Sequence, residues 1–208
     1  MGARTQPSDW RTLRERSPSY AHCLLFASPR QRDRFSVLLL LCLELEKALG
    51  SEEIMVRLIR IKWWEEALLE ENPASSHPLV ARISHLKQQS VVKSSELETL
   101  VESWQLAAEN KQALESAWEK TFRVLVNAYG YEKSASRIGS QIFHSRNRNP
   151  VIPLSADERR ALRKLGTLGT VLQGFSFQTF RTDAKKDLHP DDDPLFIFRL
   201  FWHLLRGK

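Results

Sequence analysis

The segment QRDRFSVLLLLCLELEKAL, Gln31 to Leu49, constrains the chain most. Wound as a helix it is apolar nearly all round, and such a helix is stable in water only when other elements cover most of its sides. Its uninterrupted apolar run, Val37 to Leu43, is far short of the roughly 20 residues that cross a bilayer. The covering therefore has to come from the protein itself. With eight glycines in 208 residues, and no alternating apolar and polar runs between turn signals, a sheet has little support. The expected fold is an all-α bundle around a central helix.

Gly50 fits the end of that helix, and Ser51, Glu52 and Glu53 suit the start of the next. The two should form a hairpin. The second helix carries RLIRIKWWEEAL, Arg57 to Leu68, in which adjacent tryptophans point about 100° apart. Trp63 and Trp64 cannot both occupy one narrow apolar stripe, so one packs in the core and the other faces a cavity or a contact surface. Glu44 shares a face with Val37, Leu40, Leu41 and Ala48, whereas Glu46 is offset by about 200°. Glu44 should be the more buried, with Arg57 or Arg60 as its counter-charge inside the hairpin.

The rest of the chain reads as helices over 79–90, 95–110, 111–130, 131–146 and 156–166, the last capped by Ser155, with an apolar final helix over 195–208. Residues 1–18 read as a polar basic arm and 19–208 as a single domain. Cys23 and Cys42 lie in apolar surroundings without metal-ligand spacing, which points to a reducing compartment and to no zinc or disulfide framework. The N-terminus lacks the apolar core of a secretory signal. His22 and His203 sit among apolar residues, as core histidines do. Asp183 and Asp187 belong to a lysine-bearing turn, and His144 to an exposed basic loop.

The net charge of +6 is segregated: Glu44 to Glu119 holds 14 acidic and eight basic residues, so the cationic excess lies at the ends. Arg30, Arg32, Arg146 and Arg148 belong to arginine clusters with few interleaved aromatics and no nucleic-acid-binding signature. A basic contact surface for anionic lipid or an acidic partner fits them better than nucleic acid does.

FASPRQRDRFSVLLLLCLELEKAL, VRLIRIKWWEEAL and HPLVARI, taken in that order, resemble the front half of the squalene/phytoene synthase family. The marks fall on Pro29, Arg34, Glu44, Arg60, Trp63, Trp64, Ala67, Leu68, His77 and Pro78. Farther on, Trp118, Glu119 and Thr121, and then Gly139, Gln141 and Arg146, match later family helices. The resemblance implies an isoprenoid-synthase-like helical bundle, shortened in its C-terminal half, with Arg34, Glu44, Arg60, Trp63, Trp64, Trp118 and Gln141 at or near a central cavity. Family enzymes condense two prenyl diphosphates head to head, using magnesium held by two aspartate-rich motifs.

This chain departs from both motifs. It has ELEKA, Glu44 to Ala48, where the first should stand, and the cationic HSRNRNP where the second should. The resemblance is nearest to a non-catalytic branch related to an assembly factor for respiratory complex I. It implies no catalytic residue, no metal and no cofactor, and a protein partner, with an anionic membrane surface or an isoprenoid lipid as further ligands. The implied location is the cytoplasm, with peripheral attachment to an inner membrane, or the mitochondrial matrix in a eukaryote. The alternatives are a magnesium-dependent prenyl diphosphate transferase in which glutamates replace the aspartates, and a basic nucleic-acid-binding helical module.

Overall fold

The structure, a computed structural model, describes residues 9–69, 77–126, 138–141, 155–163, 170–176 and 199–200. All the regular structure among them is helical: α1 (Asp9–Arg16), α2 (Pro18–Cys23), α3 (Pro29–Ala48), α4 (Ile54–Leu69), α5 (Pro78–Gln88), α6 (Ser94–Glu109), α7 (Leu114–Val126) and α8 (Ala156–Arg163). Short 3-10 turns at Leu24–Phe26 and Lys111–Ala113 precede α3 and α7. Further helical residues lie at 138–141, 170–176 and 199–200. The all-α expectation is met, and no described helix is long and apolar enough to cross a membrane.

The central helix is α3. Every residue from Arg34 to Cys42 is buried, and α1, α4, α5 and α7 all pack on it. It begins two residues earlier than Gln31, because Ser28 and Gln31 form a reciprocal capping box and Pro29 occupies the first turn, where its missing N–H costs nothing. Ser155 caps α8 in the same reciprocal way with Glu158, as the sequence suggests. Helix α6 packs against both α4 and α7.

The polar-arm reading of residues 1–18 gives way in its second half to a docked helix. Leu13 of α1 is fully buried, and the Trp10 indole donates to the Ala21 carbonyl at 2.9 Å. Arg14 lies over the Trp10 ring at 5.2 Å. One leucine and one tryptophan at helical spacing anchor a segment whose other residues are polar.

Arg34 and Glu96 are both buried and meet as a two-pronged pair, with N–O distances of 2.8 and 3.0 Å. The same guanidinium donates to the Val91 and Val124 carbonyls, and Glu96 also accepts the Lys93 backbone N–H at 2.9 Å, closing the start of α6. Arg57, buried in α4, donates to the Ala108 carbonyl near the end of α6 and to the Ser51 and Glu52 carbonyls of the α3–α4 turn.

Gly139 shows how closely the later helical residues approach α7: a Cβ there would lie 2.6 Å from the Glu119 Cα, inside any permitted contact. Only glycine lets the two backbones meet at that point.

Breaking the buried fork strands a charge. Glu96→Leu is expected to lower the unfolding free energy by roughly 3 to 5 kcal/mol, and Arg34→Met/Glu96→Leu together to recover much of that loss. Urea denaturation of the two variants measures both; equal losses in the single and double variants would contradict the role given to the pair.

Candidate functional site

Helix α4 has two apolar stripes. Arg57, Ile61, Trp64 and Leu68 are buried and follow helical spacing on the inner face. Met55, Ile59 and Trp63, four residues apart, are 66%, 65% and 43% exposed. Residues two apart on a helix diverge by about 200°, so the stripes lie on opposite sides of α4. This resolves the adjacent tryptophans: Trp64, 5% exposed, belongs to the core, and Trp63 belongs to the outer stripe.

A cleft of about 440 Å³ lies between the end of α3 and the outer side of α4. Glu44, Lys47 and Ala48 line it from α3, and Ile59, Arg60, Trp63 and Trp64 from α4. The two indoles stand edge to face at 4.9 Å, and the His77 ring packs at 5.0 Å from Trp64 and 6.0 Å from Trp63. His77 is also the N-cap of α5, its Nδ1 accepting the Leu79 N–H at 3.3 Å, with Pro78 at the first helical position. The His-Pro pair thus starts a helix and braces both tryptophans at once.

A second cleft, of about 430 Å³, adjoins the first through Glu44. Its acids are already matched to bases. Arg16 donates to Glu44 at 2.6 Å, and Arg82 donates to Asp9 at 2.6 Å, so both contacts hold α1 against the bundle.

Four expected site residues therefore come together: Glu44, Arg60, Trp63 and Trp64. Two expectations about their charges are corrected. Glu44 is half-buried and pairs with Arg16, not with Arg57 or Arg60. Arg57 has its guanidinium on backbone carbonyls, and Arg60 is exposed at the cleft. The counter-ion sits on the segment expected to be a polar arm; Trp10 and Leu13, three apart, are the sequence signal that this segment packs.

Arg34, Trp118 and Gln141 line neither cleft. Arg34 belongs to the buried fork, and Gln141 is buried. Trp118 packs edge to face with Trp104 at 5.5 Å. Of the basic contact residues, Arg30 is exposed. Arg32, half-buried, donates to the Leu24, Leu25 and Ala27 carbonyls and closes the turn before α3. Arg146, Arg148, His144, His203, Asp183 and Asp187 lie outside the described residues.

Magnesium would need several carboxylate oxygens converging on one point. The first cleft offers one carboxylate, Glu44, held by Arg16, beside the cations Lys47 and Arg60. These residues do not fit the ion. Among the described residues no three His, Cys, Asp or Glu side chains gather as a ligand set.

Inside the bundle, one hydroxyl organises a polar knot. Thr121 Oγ1 donates to the Ala117 carbonyl at 2.9 Å and accepts from the Trp104 indole at 3.2 Å and from the Cys42 thiol at 3.6 Å. Burial pushes the Cys42 thiol up to about 12; the Thr121 contact opposes this and the nearby Glu46 charge adds to it.

Compared with known proteins, the chain matches no family model, no curated protein and no solved structure.

The partition of the tryptophans sets their costs. Trp64→Ala should destabilise by about 3 to 5 kcal/mol, as removal of a buried large side chain does, and Trp63→Ala by about 0.5 kcal/mol. Chemical denaturation of the two variants makes the comparison, and similar losses would refute the two-stripe assignment.

The buried thiol gives a pH test. A raised folded-state pKa means that the unfolded chain ionises first, so stability is intact below pH 9.0 and falls as pH rises toward about 12. The stability difference between the native protein and Cys42→Ser should shrink over that window; a constant difference would show that Cys42 does not contribute.

Proposed function

We propose that the chain is a squalene/phytoene synthase-like protein without catalytic activity of its own, which binds a protein partner and serves the assembly of a membrane-associated complex, with a respiratory complex as the leading case. The observation that carries the reading is the α3–α4 cleft. It is apolar, it opens beside the exposed stripe of α4, and the one carboxylate among its described lining residues is tied by Arg16. Such a surface is suited to holding an apolar or amphipathic group and unsuited to ionising a diphosphate, which needs clustered carboxylates and metal.

The resemblance to the family draws support from the way its marks converge. Glu44, Arg60, Trp63 and Trp64 come from two helices and meet in one cleft, with His77 of a third packed on both indoles. Separately these residues are ordinary. Their convergence is what a retained site would produce after its acids had changed role: Glu44 now bridges to α1, and Lys47 stands where a further acid would be expected.

The interior adds a second line of support. Trp118 and Thr121, which match a later family helix, are fully buried in side-chain packing with Trp104. Polar and aromatic positions that could serve a substrate are here engaged with one another. A binding role leaves the outer faces of α3 and α4 for the partner.

Two measurements test the proposal. With farnesyl or geranylgeranyl diphosphate and magnesium, the purified protein should release no diphosphate above background. Affinity purification from native cells should retain a stoichiometric protein partner that Ile59→Asp/Trp63→Ala loses while remaining folded. Magnesium-dependent diphosphate release would overturn the proposal, and so would a partner held equally well by the variant.

A further inference from the structure

We infer that the α3–α4 cleft is a docking groove for an acidic amphipathic helix of the partner protein, an inference that rests on the binding role proposed above. Three observations converge on that occupant. The first is the stripe itself. Met55, Ile59 and Trp63 extend over about 12 Å of helix, at about 1.5 Å per residue, and present apolar side chains at single-turn intervals beside a concave surface. A second helix laid along such a groove contributes anchors at i, i+3 or i+4 and i+7, which repeat at the same interval.

The second observation is charge. Lys47, in the last turn of α3, and Arg60, on α4, are both exposed at the cleft, and among the described residues neither side chain has an ion pair or hydrogen bond. By contrast Lys62, on the same helix, is paired with Glu65, and Lys111 with Glu52. The two cations at the groove are therefore the ones whose charge is unanswered within this part of the fold. Acidic residues flanking the apolar face of an incoming helix would meet them.

The third observation separates a helix from an anionic bilayer. A membrane-binding face needs a broad cationic field, since each basic residue near the surface adds only a small increment of binding. Here Glu53 precedes α4 and Glu66 lies in its last turn, and among the described residues neither is in an ion pair. A negatively charged plane would meet acids at both ends of the stripe, whereas a single helix seated in the groove meets Lys47 and Arg60 between them.

The groove is also held ready for an occupant. Trp63 rests on Trp64 and His77, and His77 is fixed by its capping bond to α5, so less side-chain freedom is lost on docking.

The test uses the whole protein and a designed probe, a fluorescent amphipathic helix of roughly 18 residues, five turns, with a leucine face and glutamates elsewhere. A lysine counterpart and phosphatidylserine–phosphatidylcholine vesicles are the comparisons. The glutamate helix should bind saturably in fluorescence anisotropy, more weakly at high salt, and the lysine helix should not bind. Lys47→Glu/Arg60→Glu should weaken the glutamate helix by about tenfold and give the lysine helix measurable affinity. Ile59→Asp should abolish binding of the glutamate helix.

Equal affinity for the two peptides, or indifference to the charge reversal, would overturn the inference. Binding to the vesicles without binding to the peptide would replace the helix by a membrane. If a partner still co-purifies through Ile59 and Trp63 while the glutamate helix does not bind, the inference fails and the binding role stands; diphosphate release would sink the binding role by itself.

Discussion

Four segments of the bundle meet at the Arg34 guanidinium: its own helix, the N-terminal turn of α6 through Glu96, the loop before α6 through the Val91 carbonyl, and the end of α7 through the Val124 carbonyl. Apolar packing among helices tolerates sliding and repacking, because dispersion and burial depend weakly on direction. A buried arginine does not, since each unmet donor would cost free energy on the order of 1 to 3 kcal/mol. With partners 57 to 90 residues away in sequence, Arg34 fixes how α3, α6 and α7 align lengthwise. Arg57 does the same for α4, binding the turn before it and the end of α6 with one side chain. The site depends on both, for the cleft exists only while α3 and α4 keep their relative position.

The same logic explains which parts of the fold could be read from sequence. The α3 pattern is apolar on nearly every side, and such a pattern admits only a covered helix, so the centre of the bundle was evident before its neighbours were known. Several boundaries lie within a residue or two of those expected: α5, expected over 79–90, runs over Pro78–Gln88, and α6, expected over 95–110, runs over Ser94–Glu109. That one of Trp63 and Trp64 packs inside and the other outside is legible too, because it follows from helical geometry; which takes which place depends on the neighbouring helices.

Ion-pair partners were less accessible, because nothing local encodes them. Glu96 looks like an ordinary first-turn acid of α6 until α3 is placed beside it. Arg57 and Arg60 both lie within reach of Glu44 when judged by distance along the chain, and Arg60 is the one the hairpin geometry favours. Face assignment separates them: Arg57 aligns with Ile61 and Trp64 on the inner stripe, and a side chain there reaches backbone carbonyls before it can reach α3's outer edge. Glu44 itself was bound to be misassigned as long as α1 was taken for an unpacked arm, since its counter-charge sits on that arm.

The two faces of α4 bring stability and recognition into one helix. Its inner stripe must stay apolar for packing, and its buried Arg57 locks its position. The outer stripe answers to no packing demand inside the described fold, and a helix that needed only to fold would be more soluble with polar residues at 55, 59 and 63. Instead three large apolar residues recur at one-turn spacing, and the third is braced by two rings of the protein's own interior edge. A tryptophan held in place in this way loses little freedom when something packs on it. Interfaces concentrate binding energy at residues of that kind. Trp64 and Trp63 therefore do different work through the same contact: the buried ring supports the exposed one, and the exposed ring extends the bundle's core outward to the cleft that Lys47 and Arg60 also line.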